Sequence, residues 1–384
     1  MSKWKTVKLG DIFEITSGGT PSKMHPEYYE NGTIYWVKTG DLKGKYLISV
    51  PSLITEDGLK NSSAKIFPVG TILLAMYGAT IGACSILKVE AATNQACAAF
   101  LPNEDIDKSY FYYFLCSKKE EFIKLGVGGA QPNISAAILK NVKISLPPIE
   151  EQKRIADILD KANSLIDLRK QQLEKMDLLI KSKFIDMFGD PVTNSKGWEV
   201  KSLKDIALGK LSYGSGASAT EYDLNVRYIR ITDINEKGCL NVHKVSPNEI
   251  SDEYILSEGD ILFARSGATV GKTFRYSEKY GKCIYAGYLI RLVPNQKIVL
   301  PDYIYYLTKT DYYLSFVQQS MKTVAQPNIN AQQYGALQIP IPPIFLQNQF
   351  AAFVEQVEKQ KAVMQQSLEK METNYKALMQ EYFG

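Results

Sequence analysis

The sequence predicts an α+β protein: two tandem mixed α/β domains joined by two long antiparallel coiled-coil helices and related by a pseudo-two-fold internal repeat. Three observations predict it. A 60-residue stretch occurs twice, residues 130–189 and 325–384, and adding 195 to each number maps one onto the other without a gap. Ala130-Gln131-Pro132-Asn133-Ile134 becomes Ala325-Gln326-Pro327-Asn328-Ile329, and Phe188-Gly189 becomes Phe383-Gly384. Each copy runs from a Pro-Pro pair into a tract without Gly or Pro in which apolar residues recur every seven positions. The residues before each tract carry shorter matches to one another. A repeat of this length exceeds the 20–50 residues of a solenoid unit and describes a duplicated domain plus helix. The expected divisions are 1–145, 146–189, 190–340 and 341–384.

At 384 residues the chain has room for two domains, each able to bury a core. The net charge of +4 is mild and unevenly spread. Residues 1–145 hold 16 Lys, no Arg and 13 acidic groups, while 190–344 hold 17 basic groups, five of them Arg, against 15 acids. The two tracts are close to neutral, so the positive charge belongs to the domains, which permits nucleic-acid binding without requiring it. Five cysteines (Cys84, Cys97, Cys116, Cys239, Cys283) form no CxxC pair, as expected of reduced thiols in a cytoplasmic protein. The N-terminus lacks the apolar core of a signal peptide, and no run reaches the ~20 apolar residues of a membrane span.

Along the chain, WKTVKLGDI (4–12) is matched by WEVKSLKDI (198–206), a short element entering each domain. A turn-rich loop follows, Ser17 to Lys23 in one copy and Ser212 to Ser218 in the other. Ile34 to Val37 and Arg227 to Arg230 read as strands. FPVGTILLAMYGATIGAC (67–84) and LSEGDILFARSGATVGKT (256–273) share an apolar run, a glycine-bounded turn and a second apolar segment, the pattern of a hairpin. Aromatic stretches at Tyr110–Leu115 and Tyr303–Leu307 read as helices.

Prolines 147 and 148 pre-set an extended lead-in, so the first long helix should begin just beyond them and run over Glu151 to Met187. Leu159, Ile166, Leu173, Ile180 and Met187 recur at intervals of seven; Val357, Met364, Met371 and Leu378 do so in the second copy, helped by Leu368. Heptads of this kind call for a helical partner along the whole length, and each helix has only the other. The expected outcome is an antiparallel pair about 55 Å long, with a domain at either end.

Catalytic machinery is absent from the sequence pattern. The two histidines, His25 and His243, occupy loops and do not match in the repeat. There is no HExxH, no Cys/His cluster and no GxSxG elbow. Gly267 to Thr273 has three residues between its glycines where a phosphate loop needs four, and its partner Gly78 to Cys84 lacks the lysine; it reads as a turn. Two mildly basic domains on a fixed spacer suit the reading of two half-sites on a duplex, which lie ~34–36 Å apart per helical turn. Composition alone leaves a non-catalytic two-headed protein-binding scaffold equally open.

The SGGTPS loop, the GATIG and GATVG turns, and Gln-Pro-Asn-Ile followed by Leu-Pro-Pro-Ile-Glu-Glu-Gln and a long helix occur in this order. With its repeat, the chain resembles the specificity subunit of type I restriction–modification systems. The resemblance implies two target-recognition domains, each reading one half of a split DNA sequence, with the helices as spacer. It implies a subunit that is itself no enzyme. It docks two adenine methyltransferase subunits, which a restriction and translocase subunit can join, and S-adenosylmethionine and ATP belong to those partners rather than to this chain.

Carried onto this sequence, the DNA-contacting candidates of the first domain are Thr20, Ser22, Lys23, Lys38, Thr39, Tyr77, Thr80, Asn94 and Gln95. In the second domain they are Tyr213, Ser215, Arg230, Thr232, Arg265, Ser266, Thr269, Lys272 and Tyr285. Arg230 and Arg265 are candidates to read guanine, for which the first domain has no arginine. Gln131, Asn133, Gln326 and Asn328 are expected at the domain–helix junctions. Pro148, Glu151, Gln152, Arg154, Pro343 and Gln347 are the partner-binding candidates. There the copies diverge, since Glu150-Glu151-Gln152-Lys153-Arg154 becomes Phe345-Leu346-Gln347-Asn348-Gln349.

Overall fold

The computed structural model describes residues 4–126, 133–321 and 328–384; Gln131 and Gln326 lie outside them. The chain divides into two compact units, Met1–Arg169 with Ser367–Gly384, and Lys170–Gln366. Each long helix is one continuous element, Ile149–Phe188 and Ile344–Phe383, so each contributes one half to either unit. Both begin on the residue after the Pro-Pro pair and run 40 residues, about 60 Å.

In the first unit a five-stranded sheet is ordered Ile15–Ser17, Cys97–Phe100, Ile72–Ala75, Cys84–Leu87 and Tyr46–Leu47. Its three inner strands, Cys97–Phe100, Ile72–Ala75 and Cys84–Leu87, are buried throughout because both faces are covered. Ile72 and Leu74 face a core with Phe100, Phe111 and Ile155, whereas Leu73 and Ala75 face Val37, Phe67 and Leu87. A second sheet pairs Ile34–Val37 in parallel with Ala91–Thr93. Lys5–Lys8 closes the unit by pairing with Lys143–Leu146, directly before the long helix.

The second unit repeats this plan. Ile261–Ala264 lies between Leu289–Leu292 and Thr273–Arg275, with Ile261 and Phe263 on one core and Leu262 and Ala264 on the other. Arg227–Ile229 pairs in parallel with Cys283–Tyr285, and Glu199–Ser202 pairs with Gln338–Ile341. The expected hairpins, the entering elements and the aromatic helices (Lys108–Ser117 and Pro301–Leu307) are all present.

The heptads line the buried side of both helices. In the first unit Ile155 and Leu159 share a core with Leu378, Met379 and Phe383, so the beginning of one helix packs beside the end of the other. In the second unit Ile180, Phe184 and Phe188 meet Phe350, Val354 and Val357 in the same antiparallel sense. Asp160 ties the first helix to its unit by accepting from Lys45 and from the Tyr113 hydroxyl.

Candidate nucleic-acid interface

The turn-rich loops are equivalent in backbone although their sequences differ. Gly19 N–H donates to Thr93 O (2.9 Å), and Ser215 N–H donates to Tyr285 O (2.8 Å). A Cβ on Gly18 would stand 2.0 Å from Thr93 O, and one on Gly214 would stand 2.3 Å from Tyr285 O. Only glycine lets the loop lie this close to the strand. Behind each loop, Lys38 and Arg230 hold matching places, each donating its backbone N–H to an aspartate three residues on (Asp41, 2.8 Å; Asp233, 2.9 Å).

In the first unit this scaffold shapes a cleft of about 870 Å³ whose lining includes Thr20, Lys23, Tyr29, Trp36, Lys38, Asn94 and Gln95. The Trp36 indole donates to Gly19 O (3.0 Å) and the Tyr29 hydroxyl to Pro21 O (2.5 Å), fixing the loop over the cleft. Thr20 donates to Gln95 Oε1 (2.5 Å), which leaves the Gln95 amide N–H₂ pointing elsewhere. The Lys38 ammonium lies 5.1 Å from the Trp36 ring centre. Five expected residues therefore converge here. Ser22 is exposed on the same loop and Thr39 is half-buried beside Lys38. Tyr29 and Trp36 were not among the candidates. An aromatic inside a strand pattern, as Trp36 is, reads as core, and only the loop folding back over it reveals the second role; Tyr29 follows a short helical turn in the loop between strands.

Several expected contacts belong instead to the framework. Tyr285 is fully buried and shares a hydrogen bond with Ser212 Oγ (2.8 Å), so it is a core residue with no surface to offer. Ser215 is 8 % exposed and its hydroxyl accepts from Ala217 N–H (3.0 Å), closing a turn. The Thr80 and Thr269 hydroxyls donate back to Tyr77 O (3.2 Å) and Ser266 O (2.9 Å), locking the GAT turns. Lys272 is drawn to Ile234 O (3.3 Å) and Glu236 (2.8 Å). Arg230 spends Nε and Nη2 on Asp233 (3.0 and 2.9 Å), which raises its pKa. Thr232 is exposed.

Tyr77 and Ser266 bridge to Asn133 and Asn328, the described members of the expected junction positions. Arg265 and Tyr213 meet: the guanidinium lies 4.7 Å from the Tyr213 ring centre and its Nε donates to Asn328 Oδ1 (3.2 Å).

At the helix starts Gln152 and Gln347 are buried and do the same work. Each Nε2 donates to the carbonyl of the first proline of its pair (2.9 and 2.8 Å) and to a loop carbonyl, Asp105 or Ile298 (both 3.1 Å). Each Oε1 accepts a backbone N–H, from Asp107 (2.9 Å) or Leu300 (2.7 Å). They hold helix to domain and cannot face a partner. Pro148 and Pro343 are exposed. Glu151 and Arg154 form a two-point pair (both contacts 2.7 Å) on the surface of the first helix; the second presents Phe345, 59 % exposed, in that region.

Comparison with known proteins agrees with this architecture. The type I restriction modification DNA specificity domain matches twice, at residues 1–177 and 195–373. The chain is 32 % identical over 293 residues to the MjaIX type I restriction enzyme specificity subunit of Methanocaldococcus jannaschii, covering 70 % of this chain and 67 % of the relative. It is 23 % identical to the MjaVIII specificity subunit of the same organism, over 98 % of this chain and 91 % of the relative. Among solved structures, the S subunit of a type I restriction–modification system from M. genitalium shares the fold, with a TM-score of 0.59 at 16 % identity, over 100 % of this chain and 96 % of that one. The chain belongs to the type I restriction–modification DNA specificity family, a family of non-catalytic subunits.

Proposed function

We propose that this member of the specificity family reads a split duplex target, one half-site per unit, and presents its long helices to two methyltransferase subunits. The observation that carries the reading is the duplicated loop-and-strand scaffold, which keeps one backbone while changing the side chains it displays. Lys38 and Arg230, Met76 and Arg265, Asn94-Gln95 and Ala286-Gly287 occupy matching places. Phosphate contacts come from lysines such as Lys23 and Lys38, and base-edge contacts in the first unit from Asn94 and Gln95; the second unit, with Ala286-Gly287 in those places, reads bases through other residues. Arg154, Pro148 and Pro343 are exposed, and Glu151 half-buried, where a partner subunit docks. S-adenosylmethionine and ATP act on the methyltransferase and on a restriction and translocase subunit that can join it. The site of action is the cytoplasm.

The test is modified-base sequencing of DNA from cells carrying the methyltransferase partner with and without this chain. Adenine methylation at one split motif, present only with the chain, is the expected result. An unchanged pattern, together with no salt-sensitive duplex binding by the purified complex, would refute the reading.

A further inference from the structure

The second unit carries five arginines between residues 190 and 344, of which the sequence singles out Arg230 and Arg265 without choosing between them. The structure separates them. Arg227 is buried with Nη2 on Asn241 O (2.7 Å). Arg230 is paired through two nitrogens with Asp233. Arg275 meets Asp302 (2.5 Å) and Arg291 meets the buried Asp260 (2.7 Å). Arg265 differs. Its Nε is taken by Asn328 and its guanidinium carbon lies 4.7 Å from the Tyr213 ring centre, but among the described residues no acceptor holds Nη1 or Nη2. Tyr213 is itself pinned, its hydroxyl accepting from Ala331 N–H (3.1 Å).

The position is fixed as firmly as the side chain. Arg265 N–H donates to Tyr288 O (3.1 Å) and its carbonyl accepts from Ile329 N–H (2.8 Å). It follows the central strand Ile261–Ala264, at the end of the sheet where Tyr288 is 62 % exposed. The first unit makes the same two backbone bonds with Met76, to Ala96 O and from Ile134 N–H (2.8 and 2.9 Å), but Met76 is buried. Ser17 stands where the second unit has Tyr213, next to the equivalent glycine.

We infer that Arg265, held by Tyr213 and Asn328, reads a guanine in the major groove of the second unit's half-site, and that Arg230 reads no base. A guanidinium with Nε occupied and both terminal nitrogens without an acceptor among the described residues presents parallel donors that match O6 and N7 of guanine, and the contact with the Tyr213 ring restricts the rotamer freedom that binding would otherwise remove. No such group exists in residues 1–145, which lack arginine altogether. The first unit displays amides instead, Asn94 and Gln95, whose chemistry suits adenine. This inference rests on the half-site reading above and assigns it a base.

The experiment uses the full complex with its methyltransferase partner. Motifs are read by modified-base sequencing for wild type, Arg265→Ala, Arg265→Lys and Arg230→Ala. Expected is a guanine in one half-site at which Arg265→Ala loses about 10–100-fold in discrimination, with the other half-site unchanged and Arg230→Ala retaining the wild-type motif. In wild-type complex, 7-deazaguanine at that position, which lacks the N7 acceptor, should weaken binding more than at any other guanine of the motif; this readout holds even if Arg265→Ala fails to fold. An unchanged motif with Arg265→Ala, or equal weakening on all sequences including non-specific DNA, would overturn the assignment while leaving the half-site reading intact. A wild-type complex that methylates no split motif overturns both.

Discussion

Gln152 and Gln347 show how much one buried amide can decide. Each satisfies three backbone groups at the junction of a Pro-Pro pair, a loop and a helix start, and each is at most 1 % exposed. Truncation to alanine orphans those groups inside the protein, at a cost of about 2–3 kcal/mol. Gln152→Ala should lower the thermal midpoint in calorimetry, whereas exposed Gln349→Ala should leave it alone; equal effects would refute the account. Lys309 makes a second residue-scale case. Its ammonium donates to Thr273 Oγ1 (3.0 Å) and lies 4.5 Å from the Tyr305 ring centre, without a carboxylate partner among the described residues. Burial lowers its pKa to about 8. A folded pKa below the unfolded one means that the unfolded chain binds the extra proton, so this group adds stability as pH rises from about 8 towards its unfolded value of ~10.4. Lys309→Met should be more stable than wild type at pH 7, with the gap closing by pH 10 in chemical denaturation. A gap independent of pH would show that the lysine stays charged.

At the scale of elements, the repeat made most of the fold legible. Glycine-bounded turns gave the hairpins, Pro-Pro gave the helix starts, and seven-residue spacing gave the helix seam, because each signal is local to the chain. The site was less legible for a physical reason. Loop side chains look alike in sequence whether they face solvent or close a turn, and Ser215, Thr80, Thr269 and Lys272 turn out to be satisfied internally. Tyr285 was misread because its loop and its strand meet only after folding. The helix starts differ in a way that sequence did expose: a charged Glu151–Arg154 pair against an exposed Phe345. If these surfaces receive the methyltransferase copies, one is held by screened charge and the other by apolar burial. Phe345→Ser should then release one copy at low salt, seen by native mass spectrometry as a one-to-one complex. Loss of both copies, or of neither, would sink that assignment.

The first unit is not a contiguous segment, whereas the second, Lys170–Gln366, is. The first is completed by Ser367–Gly384, nearly 200 residues beyond the rest of it, and the second borrows Lys170 to Phe188 from the first long helix. The repeated Phe-Gly makes the consequence testable. Phe383 packs on Tyr110 and Phe114 in the first unit (ring centres 5.1 and 6.1 Å). Its repeat equivalent Phe188 packs on Tyr303 and Phe350 in the second (4.9 and 5.3 Å). Truncating a buried phenylalanine costs about 3–5 kcal/mol through lost transfer energy and the cavity left behind. Phe383→Ala should therefore loosen the first unit although it lies at the far end of the sequence, and Phe188→Ala should loosen the second. Hydrogen exchange followed by mass spectrometry reads this directly. Faster exchange in Lys108–Ser117 and Ile149 to Arg169 is expected for Phe383→Ala, and in Pro301–Leu307 and Ile344 to Gln366 for Phe188→Ala. If either substitution loosened both units equally, the two cores would be one cooperative system, and the independent reading of two half-sites would lose its structural basis.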